Sequence, residues 1–144
     1  MTQHLPDPTY DPAFYENIPS KRVLAWLIDI ALITAVTLVI GLMTLTALLW
    51  IWPITYFMIS FLYRSLTIAG GSATLGMRIM AIELRNSAGQ RLSPGEAMGH
   101  TLLYLLSWTF AIVQLISIVL MATGARHQGL HDLVMGTVAI NRPR

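Results

Sequence analysis

The chain reads as an all-α membrane protein with three or four transmembrane or re-entrant helices and a short cytoplasmic surface hairpin. Three observations carry that reading. Hydrophobic residues fill 55% of the 144 positions, charged residues 11%, and the mean hydropathy is +0.62, a balance foreign to water-soluble domains of this size. From Val23 to Tyr63 the sole charge is Asp29, over a length of about two spans of roughly 20 residues each. The basic residues, eight Arg and one Lys in a chain of net charge +2, flank the apolar runs. They form no separate patch, which argues against nucleic acid and points to the lipid bilayer as the first partner. The absence of cysteine removes disulfides, Fe–S clusters and thiol catalysis.

The elements follow in order. Residues 1–20, "MTQHLPDPTYDPAFYENIPS", hold four prolines, three acids and no Lys or Arg. They lack the basic start and apolar core of a signal peptide and read as a flexible polar tail. Pro19 and Ser20 predict a helix start with Ser20 as N-cap. A helical hairpin follows, with spans near Val23–Met43 and Leu48–Thr67 and a turn at Gly41–Thr46. Pro53 then falls in the first turns of the second helix, where its missing donor matters least. Between Ile68 and Glu96 the composition turns polar, and "RIMAIEL" followed by "RNSAGQRL" predicts two short strands around a glycine turn. Ser93 and Pro94 open a helix carrying the apolar run Ala97–Thr123.

That last run has two readings. Hydropathy favours one tilted span. The charge rule favours a re-entrant pair meeting near Ser107–Thr109, because with the N-terminal tail inside such a pair keeps every basic residue on the cytoplasmic side.

Arg22 and Asp29 are seven residues apart and share a helix face, but a rise of about 10 Å separates them. Arg22 reaches the headgroup level. Asp29 does not, and an ionised aspartate inside a span costs roughly 2.5 to 3.5 kcal/mol on insertion scales unless a partner or cavity receives it. The donors at hand lie in "RHQGLHDLVMGTVAI": Arg126, His127, His131 and Thr137. If the C-terminus returns to the Arg22 side, Asp132 pairs with Arg22, and His131 or Thr137 meets Asp29.

Taken together and in this order, "KRVLAWLIDIALI", "TLGMRIMAIEL", "NSAGQRLSPGEA" and "GLHDLVMGTVAI" resemble the RDD family of bacterial membrane proteins, over about Ser20–Asn141. The resemblance implies a membrane domain at 21–141, followed by a short C-terminal end at 142–144, in a bacterial inner membrane. It matches Arg22, Asp29 and Asp132 to the family's arginine and two aspartates, and implies structural parts for Thr74, Gly76, Arg78 and Gly136. Met77 departs from it, since the family often has lysine there. Transport, suggested for the family, is the functional expectation: a proton-coupled carrier of a cation or small solute, acting as an oligomer. The alternative is an anchor or stabilising partner of another membrane protein.

Each candidate has a plain structural reading beside the functional one. Asp29 is either a proton or cation site or an interhelical hydrogen-bonding group. His131 and Asp132 read as a proton relay or, more simply, as a helix cap. His127 and His131 stand at i, i+4 but lack the Glu of a HExxH pattern or a third ligand, so neither metal nor cofactor is expected. Gly95 and Gly99 form a GxxxG suited to close helix contact, within the chain or between copies. No ordered nucleophile, base and acid supports an enzyme.

Overall fold

In the computed structural model, residues 5–44 and 50–143 are described, and they are mostly helical. Six helices and two strands succeed one another: α1 (Ile18–Met43), α2 (Trp52–Ala69), α3 (Leu75–Ile79), β1 (Ile82–Arg85), α4 (Pro94–Thr109), α5 (Ala111–Thr123), α6 (Leu130–Met135) and β2 (Val138–Asn141). Among the described residues, α1 is long and apolar enough to cross a membrane; α4 and α5 meet the same test only as a pair.

The first helix starts earlier than Ser20. Asn17 holds the N-cap position in a left-handed conformation, φ 59°, and Pro19 sits in the first turn, where its lack of an N–H costs nothing. The preceding residues are not a wholly free tail. A 3-10 turn at Pro12–Phe14 brings Tyr15 against Val138 and Ile140 of β2, and the Tyr15 hydroxyl donates to the Pro6 carbonyl at 2.6 Å. Asn141 of β2 in turn donates to the carbonyls of Ala13 and Glu16. The expected turn at Gly41–Thr46 is helical through Met43, with Thr44 closing the helix; its remainder lies outside the described residues.

The surface hairpin is replaced by a longer-range pairing. β1 pairs antiparallel with β2, Ile82 opposite Asn141 and Arg85 opposite Val138. The glycine turn does form: Asn86 Oδ1 accepts from the amides of Ala88 and Gln90. The returning segment, however, is drawn to Ser72, whose Oγ accepts from Leu92 N and whose carbonyl accepts from Leu84 N. That leaves the other edge of β1 to the C-terminus. Ile82, Leu84 and Ala139 join Ile18, Ala25 and Ile68 in one buried core, so the sheet seals the end of the bundle where α1 begins.

Ser93 caps α4 as read from the sequence, in a reciprocal pairing with Glu96. The apolar run after it is a bent pair: α4 and α5 meet at Phe110, an extended residue, with a bend of 117°. Neither Pro nor Gly makes this corner. It is pinned by a buried hydrogen bond from Ser107 Oγ to Gln114 Oε1 at 2.9 Å, which forms only when the second helix folds back, and leaving two such groups unpaired in an apolar setting is costly. One half of the GxxxG makes a close contact between helices within the chain. Gly99 lies against Met135 of α6, and Gly95 has open space around it.

Candidate functional site

Two aspartates organise the interior. Asp29 of α1 is 1% exposed. Its Oδ1 accepts from Tyr63 Oη at 2.7 Å and from the Gly76 amide at 2.9 Å, and its Oδ2 accepts from Thr74 Oγ1 at 2.6 Å. Thr74 and Gly76 therefore have a direct part: the start of α3 closes over the carboxylate, with Thr74 also capping that helix through Met77 N. A Cβ on Gly76 would stand 2.2 Å from the Ala25 carbonyl oxygen, so only glycine admits this approach. Arg64 of α2 is the nearest cation, its Nη1 3.9 Å from Oδ2. His131 and Thr137, expected as donors to Asp29, are not its partners. Residues seven apart on one helix diverge in depth, and the C-terminal segment stops at the level of Arg22.

Asp132 occupies that level. It is fully buried, and Arg22 Nη1 lies 2.8 Å from its Oδ2, the pairing expected if the C-terminus returns to the Arg22 side. Thr137 donates to its Oδ1 at 3.1 Å and Gly129 N to its Oδ2 at 3.0 Å. His100 Nε2, from α4, stands 2.8 Å from Oδ1, and His131 Nε2 lies 3.6 Å from Oδ2 and 3.4 Å from Arg22 Nη2. Gly136, at φ +65°, ends α6 in the left-handed conformation that glycine accepts most easily. Burial pushes His131 down to about 3, which keeps the imidazole neutral. Burial would raise Asp132, but the Arg22 guanidinium and the hydrogen bond to His100 hold it well below the usual carboxylate range.

His100, His131 and Asp132 are close enough to surround a metal ion. Arg22 is already seated against two of the three, and a guanidinium so near opposes a dication; the group is a hydrogen-bonded charge cluster. The second half of the HxxxH spacing, His127, is elsewhere, its Nδ1 against the Met121 carbonyl. Arg78 is exposed and donates to the Thr67 carbonyl at 3.2 Å, while Met77, at the family's lysine position, is buried in the core.

A cleft of about 320 Å³ joins the two clusters, with Arg22, Asp29, Arg64, His100 and His131 all on its lining. Sequence reasoning missed Tyr63, Arg64 and His100. Arg64 and His100 carried the signal that revealed Asp29, an ionisable group inside an apolar run; Tyr63 carried none. It also missed Glu83, a fully buried β1 carboxylate ringed by Arg85, Arg91 and Arg142, which ties the sheet to the neighbouring loop.

The family model described as "RDD family" matches residues 18–136. A curated relative, the uncharacterized protein YxaI of Bacillus subtilis (strain 168), is 33% identical over 75 residues, 52% of this chain and 47% of the relative. The chain thus spans about half the length of that relative. No solved structure gives a significant match. The order of the motifs, the paired Arg22 and Asp132, the buried Asp29 and the family match agree, and the chain belongs to the RDD family.

Proposed function

We propose that this RDD protein is a multi-pass protein of a bacterial inner membrane, with its N-terminus cytoplasmic, that carries a cation or small solute in a proton-coupled manner and works as an oligomer. The observation that supports the reading best is the cleft between the two acid clusters, which is lined by the Asp29 carboxylate, the imidazoles of His100 and His131 and the guanidiniums of Arg22 and Arg64 in a mostly apolar bundle. Ionisable groups inside membrane segments gather at solute and proton pathways, and a chain with few spans encloses a pathway more readily as several copies.

Flux of Na⁺ and K⁺ into proteoliposomes, with and without a pH gradient, tests this. The expected result is gradient-dependent uptake that Asp29→Asn abolishes while leaving the protein folded. Absence of flux for any tested solute turns the reading to the alternative, an anchor or stabilising partner of another membrane protein. Orientation is tested separately: single cysteines at Thr44 and Ser87 of this cysteine-free chain label from opposite sides of the membrane, and same-side labelling defeats the arrangement.

A further inference from the structure

Arg64 is the least answered charge in the interior. It is 5% exposed, and a guanidinium brings five donors that water would otherwise satisfy. Its Nη2 reaches Tyr104 Oη at 3.4 Å, its Nη1 is 3.9 Å from Asp29, and its Cζ lies 4.3 Å over the Tyr104 ring. Its Nε has no partner among the described residues. Asp29 does not make up the difference, because both of its oxygens already accept hydrogen bonds from Tyr63, Gly76 and Thr74. Compare Arg22, with Asp132 at 2.8 Å. Thr101 Oγ1 and His100 Nδ1, one turn of α4 from Tyr104, are likewise buried and unpartnered among the described residues.

Arg64, Asp29, Tyr104, Thr101 and His100 line the cleft, whose other walls are mostly apolar. Val23 on α1, Trp108 on α4 and Ile118 on α5 line it and are also exposed on the outer surface of the bundle. The mouth is therefore hydrocarbon-like, and the polar groups lie within.

We infer that the cleft is a binding site for an anionic amphiphile, whose carboxylate or phosphate head meets Arg64 while its apolar tail leaves between α1 and α5. Charge-assisted bonds from a guanidinium to such a head are the strong kind, frequently bidentate, and they would supply what Arg64 lacks. A free inorganic anion leaves the apolar walls unused, and an uncharged chain leaves Arg64 as it is. The inference does not rest on the transport reading, and its test reads binding without flux.

The test is calorimetric titration of the full chain, freed of lipid in a neutral detergent, with four probes: oleate, dioleoyl phosphatidic acid, oleyl alcohol and inorganic phosphate. At least one of the first two binds at one per chain, and which of them binds identifies the head as carboxylate or phosphate. Oleyl alcohol and inorganic phosphate bind at least about tenfold more weakly, and Arg64→Gln weakens the anionic probe by about tenfold or more, the scale of one lost charged hydrogen bond. Ala122→Trp narrows the cleft at an apolar lining position, so it blocks the same probe even where Arg64→Gln fails to fold. Four results overturn the proposal: neither anionic probe binds; oleyl alcohol binds as tightly, marking an apolar groove; inorganic phosphate binds as tightly, marking a free-anion site; or binding survives both Arg64→Gln and Ala122→Trp.

Discussion

Asp29 and Asp132 are both withdrawn from solvent, 1% and 0% exposed, yet they are held in opposite ways. Asp29 is wrapped by neutral donors, a phenol, a hydroxyl and a backbone amide, with its nearest guanidinium 3.9 Å away. Asp132 sits in a cluster of charge, 2.8 Å from Arg22 and 2.8 Å from His100. Neutral dipoles fix the local geometry: they hold α3 against α1, next to the core. A close ion pair fixes the long-range topology, joining the first helix to α6 near the end of the chain across a loop that no local preference would close. The same residue type thus serves as a clasp in one place and a strut in the other.

The comparison predicts unequal responses to one substitution. Asp132→Asn leaves Arg22 buried without its counter-charge, and breaking a buried pair from one side costs about 3 to 5 kcal/mol. Asp29→Asn keeps an acceptor for Tyr63 and Gly76 and an amide for Thr74, so its cost is about 1 to 2 kcal/mol, the difference between charged and neutral hydrogen bonds. Between the two stands Gly76→Ala. Its Cβ meets the Ala25 carbonyl at 2.2 Å and Asp29 Oδ1 at 2.8 Å, and α3 moves off α1 at a cost of about 3 kcal/mol, the upper end of ordinary overpacking. Chemical unfolding in detergent ranks the three, and equal losses at Asp29 and Asp132 would erase the distinction.

A separate effect concerns pH. His131 has its folded value pushed down to about 3 by burial, so between its ordinary value of about 6.5 and that point the unfolded chain takes a proton that the folded chain refuses. Stability falls as the solution is acidified through that window. Asp132, also lowered, adds a loss of the same sign below about pH 3.8. Above about pH 6.5 neither contributes a slope. Melting temperature against pH for the parent chain and His131→Gln checks this: the variant loses the slope between about pH 3 and 6.5.

Much of this was legible in the residues. A lone acid in an apolar run demands a partner, whatever the fold; the charge rule favoured a bend in the last apolar run while hydropathy favoured one span, and the pairing of Arg22 with Asp132 was legible as the consequence of the bent alternative. The donors to Asp29 were not legible. Tyr63, Thr74 and Gly76 are neutral, common residues 34, 45 and 47 positions away, and nothing in their composition marks them as hydrogen-bond partners of a carboxylate. The sheet failed for a different reason. A glycine turn between two strand-like segments is a local hairpin signal, but the competition for the β1 edge was decided by Ser72 and by the C-terminal Val138–Asn141, both beyond any local window. The start of α1 shifted because Pro19 fits the first turn as well as the position before it.

The central claim is that the end of the chain is tied to its beginning by Arg22 and Asp132, and a double-mutant cycle measures that tie directly. Arg22→Ala, Asp132→Ala and the double variant are unfolded under one condition. The account predicts that the double variant loses less than the sum of the two single losses, by at least about 1 kcal/mol, as residues in contact do. Losses that add to within about 0.3 to 0.5 kcal/mol, the mark of independent sites, would contradict it.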